Sequence, residues 1–437
     1  MAEQSLGGRI LDGYGDLIAQ HIDDAPEGVR QALSVAFNVE RAKVTLLPEL
    51  KVHPFSRDAA SIALRSVTDA LNDFGSSVIT SIFLPSEMFL SMGVHPVTAE
   101  ALSGFVTAAH AETGFVGEAE GMGVPETYCS FHKVLMGLAT SGVLPAPRLL
   151  ASCSVPCDAN NLSFKALSHV WGTPHVYVDV PYSTADDAAA VAYVADQLRS
   201  LAHAAERAYG TDLDEAELRR HVANSQETLA SLRRSLPLRR SHFMRSDMGN
   251  EMQLALATHL WLGTDDTLRM ARHMERDLAN AQGFDGVSIV WGRIPPFFLR
   301  SIAEPTSQSR DAQIIATDML YDQVGPNEPR YDADHPFEAM AERLLDDCFN
   351  GPATRRADRL CSLARQTGAD GAVVFVHWGC KETAGAAQLM RRQLEAQGFP
   401  TLVLDGDGCD RGNCMEGQMS TRFSAFLEML RARREVA

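Results

Sequence analysis

Two stretches of the chain carry apolar residues at helical spacing. Between residues 15 and 75 the segments DLIAQHI, VRQALSVAF and ASIALRSVTDALNDF repeat apolar positions every three or four residues, and Gly and Pro separate them. From Ser183 to about Leu278 the pattern is helical again, and it begins with a hydroxyl residue and early acids, which favour a helix start. Both stretches are therefore predicted to be helical.

Short β-branched runs alternate with helical patterns in the rest of the chain. After Gly75 the runs are SSVITSIFLP, RLLASC and PHVYVDVP, and helices are predicted to about residue 142 between the first two. After residue 278 the runs are GVSIVWG, AQIIATDML, GAVVFVHWG and PTLVLDGDG. Strands that alternate with helices are typical of parallel sheets. We therefore expect an α/β protein with two parallel-sheet domains of the flavodoxin or Rossmann kind.

The length of the chain also favours several domains. It has 437 residues, and single hydrophobic cores stop growing near ~250 residues. With 45% hydrophobic and 22% charged residues, it has the composition of a folded globular protein rather than a disordered or fibrous one. The predicted division is a helical N-terminal region (1–75), a first α/β domain (76–185), a helical connecting segment (186–278) and a second α/β domain (279–437).

Charge and hydropathy exclude two classes of partner. A net charge of -17 argues against nucleic-acid binding, which needs a concentrated positive surface. The basic run RRSLPLRR (233–240) has two interpretations, a solvated helix end with a turn or a site for an anion such as a CoA phosphate. The start lacks a signal-peptide pattern, and no apolar run approaches the ~18 residues of a membrane span. We therefore expect a cytoplasmic protein, in which ordinary thiols stay reduced.

Six of the eight cysteines stand at predicted strand-to-helix junctions or helix starts. The carboxyl ends of parallel strands are where ligands bind, and helix N-termini lower the pKa of a thiol. Cys348 and Cys361 instead fall inside helical patterns, where a buried structural thiol is expected. The six candidate ligands are Cys129, Cys153, Cys157, Cys380, Cys409 and Cys414.

The spacing of these cysteines leaves the kind of metal open. Structural zinc sites usually show C-x2-C or nearby His pairs, and neither is present. Iron–sulfur clusters can draw thiolates from separate loops, although the C-x3-C and C-x4-C spacings match no standard ferredoxin run. The sequence also has no G-x-x-x-x-G-K-[ST] phosphate loop and no G-x-G-x-x-G after a strand. Nucleotide-driven chemistry is therefore expected to come from a partner.

Five segments carry a family pattern: PSEMFLSMGVHP, CSFHKVLMGL, CSVPCDANN, VHWGCKETAGAAQLM and DGDGCDRGNCMEGQMSTRFSAFLEML. Together they resemble the 2-hydroxyacyl-CoA dehydratase and benzoyl-CoA reductase family over residues 77–435. The most specific parts are the Gly-Cys pair followed by Thr383 and the EGQ…TR…AFLE tail. The resemblance implies α/β subunits whose domains enclose an iron–sulfur cluster. It also implies a separate ATP-hydrolysing activator, with its own [4Fe-4S] cluster, that delivers electrons at low potential.

In that family three cysteines hold one cubane cluster, and the matching positions here are Cys129, Cys157 and Cys380. The chain departs from the usual dehydratase pattern by three further cysteines in the same loops. In this respect it resembles the double-cubane branch, whose homodimeric members join two cubanes through a sulfide as an [8Fe-9S] cluster. The resemblance then implies that the second cubane is bound by Cys153, Cys409 and Cys414.

The resemblance leaves three functions in view. The first is a reductase that receives electrons from the activator and reduces small molecules at the double cubane, with a low cluster potential set by burial and few hydrogen bonds. The alternative is a subunit of a radical (R)-2-hydroxyacyl-CoA dehydratase with a single [4Fe-4S] cluster. The third is an electron carrier without its own substrate.

Three further side chains are candidate catalytic groups. His132 lies one helical turn after Cys129, and His377 lies three residues before Cys380. Imidazole titrates near neutrality, so either side chain is a candidate proton donor. For His377, packing inside the strand is the alternative. Glu87, in the PSEMF segment, is a candidate proton relay.

Overall fold

The computed structural model describes residues 6–47, 52–325 and 331–436. Within these ranges the strands form two four-stranded sheets in which all neighbours are parallel. The strands of the first sheet are β1 (Ser77–Thr80), β2 (His95–Thr98), β3 (Leu150–Cys153) and β4 (His175–Val178), in the order β2-β1-β3-β4. Those of the second are β5 (Val287–Gly292), β6 (Ala312–Thr317), β7 (Gly371–His377) and β8 (Thr401–Gly406), in the order β6-β5-β7-β8.

Helices precede, connect and cover the two sheets. Those before the first sheet are α1 (Leu6–His21), α2 (Pro26–Leu46) and α3 (Pro54–Asn72). Those between its strands are α4 (Glu87–Ser91), α5 (Ala99–Ala108), α6 (Glu112–Gly121), α7 (Ser130–Thr140) and α8 (Asp158–Trp171). The connecting helices are α9 (Ala188–Tyr209), α10 (Glu215–Ser241), α11 (Met248–Leu260) and α12 (Asp265–Ala279). The second sheet carries α13 (Arg300–Thr306), α14 (Pro336–Asp346), α15 (Ala353–Thr367), α16 (Lys381–Ala396) and α17 (Glu416–Val436).

The sequence explains why these elements form where they do. The strands β5 and β6 are buried along their whole length, as expected for parallel strands that helices cover on both faces. Aspartate side chains cap three of the connecting helices, because a carboxylate satisfies the free N–H groups of the first turn. These caps are Asp187, Asp214 and Asp247.

The predicted fold class is confirmed at the level of an α/β protein with two parallel sheets. Each predicted strand run contains one of the observed strands, and the predicted helical stretches are helical. The strand β2 was not predicted, because it is short, contains Pro96 and lies at the edge of its sheet, where a missing N–H costs no ladder hydrogen bond. The domain boundaries and a cluster between the domains remain predictions. None of the helices in the described ranges is both long and apolar enough to cross a membrane.

The basic run at residues 233–240 is buried only in part, since Arg234 is exposed. Helix α10 continues through Pro237 to Ser241 instead of turning there. Arg239 is fully buried, and its guanidinium donates to Glu251 at 2.6 Å. Arg234 contacts Glu275 at 3.1 Å. The expected solvated helix end is therefore wrong for Arg239, because an ion pair on a neighbouring helix draws this side chain inwards.

Candidate metal centre

Each sheet has one point at which its strand order reverses. The reversal lies between β1 and β3 in the first sheet and between β5 and β7 in the second. Ligands of open α/β sheets bind outside the carboxyl ends of the strands at such points. Cys157 follows β3, Arg293 follows β5 and Cys380 follows β7. The topology alone thus directs attention to these three residues.

Three of the six candidate cysteines occupy the same structural position, the N-cap of a helix. Cys129 precedes α7, Cys157 precedes α8 and Cys380 precedes α16. A helix N-terminus carries free N–H groups and a partial positive charge, which stabilise an anion such as a thiolate. All three thiols therefore stand where an anionic ligand is favoured.

The backbone brings the three helix starts together. Gly379 has φ +78°, and a Cβ atom built there would lie 2.4 Å from the carbonyl oxygen of Tyr128. Only glycine allows this approach of the loop before Cys380 to the peptide before Cys129. The Tyr128 hydroxyl in turn donates to the Ala159 carbonyl at 2.7 Å, in the first turn of α8. The convergence of α7, α8 and α16 is thus built into the chain.

The three thiols have different acidities. Burial, reinforced by repulsion from Cys380 and Cys157, raises the pKa of Cys129 well above its usual range. Burial likewise raises the pKa of Cys157 to about 11. Burial also opposes ionisation of Cys380, but Arg293 and a hydrogen bond from Thr383 outweigh it and lower its pKa. Three buried thiols that repel one another as thiolates are a fitting set for a cationic metal cluster, whose binding displaces their protons.

Arg293 is a functional candidate that sequence reasoning missed. Its side chain is 5% exposed, and its Nη2 atom donates to Cys380 Sγ at 3.2 Å. The only signal in the sequence is a basic residue directly after a buried strand, in WGRIPP. That signal does not reveal the contact, because Cys380 lies on another strand loop and tertiary packing brings the two together.

His377 donates to a candidate ligand rather than to an open cavity. Its ring is buried, and its Nδ1 atom accepts the N–H of Gly408 at 2.9 Å. A neutral ring that accepts at Nδ1 carries its proton on Nε2, and Nε2 lies 3.5 Å from Cys129 Sγ. Burial lowers the pKa of His377, although Asp407 opposes this. The geometry therefore favours a neutral ring that directs an N–H towards the sulfur of Cys129.

The other three candidate cysteines contact hydroxyl and backbone groups. Cys153 Sγ lies 3.5 Å from Ser81 Oγ, and Cys409 Sγ lies 3.3 Å from Thr107 Oγ1. Cys414 Sγ accepts the N–H of Asp407 at 3.2 Å. Burial raises the pKa of all three thiols. Cys409 nevertheless interacts electrostatically with Cys129, so it lies beside the first group.

The other two candidate catalytic groups have buried positions. Glu87 accepts from Arg343 at 2.8 Å and from Ser225 at 2.7 Å. Burial alone would raise its pKa, but the ion pair with Arg343 lowers it, which favours a permanent carboxylate over a proton relay. Burial, with a contribution from His377, lowers the pKa of His132 to about 4. The catalytic roles of these side chains remain predictions.

Two cysteines were not predicted to be ligands. Cys348 and Cys361 are 2% and 1% exposed, as expected for structural thiols. Cys361 lies in α15, but the helical position expected for Cys348 is wrong, because α14 ends at Asp346 and Cys348 lies in the turn that follows. In the part of the chain that the structure describes, no three His, Cys, Asp or Glu side chains are close enough to hold a single metal ion.

Comparison with known proteins gives three matches. A family model described as 2-hydroxyglutaryl-CoA dehydratase, D-component, matches residues 81–430. The (R)-phenyllactyl-CoA dehydratase alpha subunit of Clostridium sporogenes is 21% identical over 374 residues, which cover 80% of this chain and 88% of that protein. The lactoyl-CoA dehydratase subunit alpha of Anaerotignum propionicum is 22% identical over 382 residues, which cover 80% and 89%. The family match covers all six candidate cysteines and every strand except β1, which precedes it together with α1 to α3.

Proposed function

The chain belongs to the family of the 2-hydroxyglutaryl-CoA dehydratase D-component, and from this premise we propose that it is a subunit of a 2-hydroxyacyl-CoA dehydratase. The proposed cofactor is one [4Fe-4S] cluster bound by Cys129, Cys157 and Cys380. The observation that carries the proposal is the convergence of these three N-cap thiols from the ends of both sheets. The dehydratase names of the two relatives support this function over the reductase that the six loop cysteines favoured.

The side chains around the site suit such a cofactor. A [4Fe-4S] cluster with three cysteine ligands would supply one-electron chemistry and one iron without a protein ligand. Arg293 donates to the sulfur of Cys380 and lowers its pKa, and His377 directs its N–H towards Cys129. All three cysteines are partly buried. These donors would stabilise added negative charge on a bound cluster.

Two kinds of partner belong to this proposal. Electrons are proposed to come from an ATP-hydrolysing activator with its own [4Fe-4S] cluster, since the sequence has no phosphate-binding loop of its own. Both relatives are named alpha subunits, which supports a sister subunit of a different sequence. A homodimer is the alternative assembly. Native mass spectrometry of the chain alone and with candidate sister subunits distinguishes the two.

A second candidate function is the double-cubane reductase. The observation that favours it is the position of Cys409, which is fully buried and interacts with Cys129. In this alternative Cys153, Cys409 and Cys414 bind a second cubane of an [8Fe-9S] cluster, and the substrates are small reducible molecules instead of CoA esters.

The first experiment is an iron and acid-labile sulfide analysis of protein purified without oxygen. About four irons per chain support the single cluster, and about eight support the double cubane. Zinc without sulfide would contradict both. The matched variants are Cys129→Ser, expected to lose the iron, and Cys361→Ser, a buried helical thiol that is expected to leave it unchanged. Turnover is then assayed with the activator, ATP and a 2-hydroxyacyl-CoA, and the 3-hydroxyacyl isomer serves as the control substrate.

A further inference from the structure

Arg293 has an unusual backbone conformation. Its φ of +82° lies in the left-handed region, which costs a residue with a side chain on the order of 1–3 kcal/mol and persists only where surrounding contacts enforce it. One such contact is a hydrogen bond in which the backbone N–H of Arg293 donates to Asp318 Oδ1 at 2.6 Å. Strain of this kind concentrates at functional sites, so the direction of the Arg293 side chain needs an explanation.

The guanidinium of Arg293 is held on several sides. Its Nε atom donates to Thr383 Oγ1, and an Nη atom contacts the carboxylate of Glu382. The group lies 4.9 Å from the ring centroid of Phe349. The Nη2 atom that contacts Glu382 also donates to Cys380 Sγ, 3.2 Å away. The strained backbone and the three side-chain contacts therefore hold the guanidinium beside this sulfur.

Arg356 is a natural comparison within the same network. It donates to Asp318 at 2.9 Å and to Glu382 at 3.0 Å, and it lies 4.7 Å from the ring centroid of Phe349. It thus shares both acids and the ring with Arg293. The two arginines carry as much positive charge as the two acids carry negative charge. The network is therefore neutral without a thiolate. What distinguishes Arg293 is its direct hydrogen bond to the sulfur.

We propose that Arg293 is a positioning residue that holds the sulfur of Cys380 through this hydrogen bond and makes a cluster bound there easier to reduce. An N–H directed at a ligand sulfur stabilises the extra negative charge of a reduced cluster, and a cation does so more strongly than a neutral donor. This inference rests on the proposed function.

The test uses the variants Arg293→Gln, Arg293→Lys and Arg356→Gln, each loaded with iron and sulfide. Circular dichroism checks each fold, and Arg293→Lys decides the matter if Arg293→Gln does not fold.

The reduction potential is followed by electron paramagnetic resonance. It is expected to become more negative in Arg293→Gln, to a smaller extent in Arg293→Lys, while Arg356→Gln stays near the wild type. An unchanged potential in Arg293→Gln overturns the proposal. A wild type that binds no iron and sulfide contradicts the proposed function, and the inference falls with it.

Discussion

The two sheets have the same strand order but present different chemistry at the point where that order reverses. The first presents Cys157, whose pKa burial raises to about 11. The second presents Cys380, whose pKa is lowered against the effect of burial because Arg293 and Thr383 contact its sulfur. Since the backbone topology is shared, it does not decide the charge of the thiol. The side chains on the neighbouring loops decide it.

The largest expected effect comes from removing the ligand of the first sheet. Cys157→Ser is expected to lose nearly all bound iron and sulfide, because two cysteines do not retain a cubane under the proposal. Cys153→Ser, four residues earlier on the same sheet, is the matched control and is expected to keep its iron. Iron and sulfide are assayed in both variants. A wild-type iron content in Cys157→Ser would show that the first sheet supplies no ligand. About half the wild-type iron content in Cys153→Ser would favour the double cubane.

A second prediction concerns the buried ion pair between the two sheet-bearing parts. Glu87 lies on α4 and Arg343 on α14, and their side chains are 0% and 5% exposed. Glu87→Ala leaves the Arg343 cation buried without its partner, which is expected to cost about 3–5 kcal/mol of unfolding free energy. The control is Glu338→Ala, which breaks a half-exposed pair with Arg199 and is expected to cost less than about 1 kcal/mol. Urea unfolding measures both, and equal losses would contradict the prediction.

The same ion pair has a defined pH dependence. Because the folded protein holds the pKa of Glu87 below its ordinary value of 4.5, the carboxylate contributes stability above that pH and loses it as the pH falls. The difference in unfolding free energy between the wild type and Glu87→Gln is therefore expected to shrink on acidification below about 4.5. A difference that stays constant from neutral pH into this range would show that ionisation of Glu87 is not the cause.

A smaller effect is expected at His377, on the second sheet. His377→Phe removes the N–H directed at Cys129 and the acceptor of the Gly408 N–H. We expect a loss of about 1–3 kcal/mol in stability and an altered paramagnetic spectrum of the loaded protein at unchanged iron content. His132→Phe is the control, because His132 is equally buried and no sulfur contact holds it. Identical spectra in both variants would mean that His377 only packs.

The smallest expected effect concerns Glu100, in helix α5, which follows β2 of the first sheet. Burial raises the pKa of this carboxyl, which interacts with Arg293 and with Cys157. Folding then favours the neutral acid, so the residue costs stability as the pH rises above the ordinary value of 4.5. Glu100→Gln is expected to gain about 1 kcal/mol or less at neutral pH and nothing at pH below that value. A loss of stability at neutral pH would contradict this reasoning.

The sequence predicted the sheets well because buried parallel strands such as GVSIVWG are continuous apolar runs. It missed β2, since the HPVT segment is short and contains a proline. For the site, helix-start positions and the family pattern pointed to Cys129, Cys157 and Cys380, and the structure brings these three together. Arg293 was not predicted, because its role depends on a left-handed backbone and on packing between two loops that are distant in the chain. Sequence spacing carries no information on either.

The position of the last N-cap cysteine bears on how the protein is made. Cys380 follows Cys157 by 223 residues, since the two positions are 380 and 157. At ribosomal rates of roughly 5–20 residues per second, translation of that interval takes about 10–45 s. During this time the nascent first sheet exposes thiols whose third partner has not yet emerged. Under the proposed function, the three ligands can therefore come together only after the second sheet has been made.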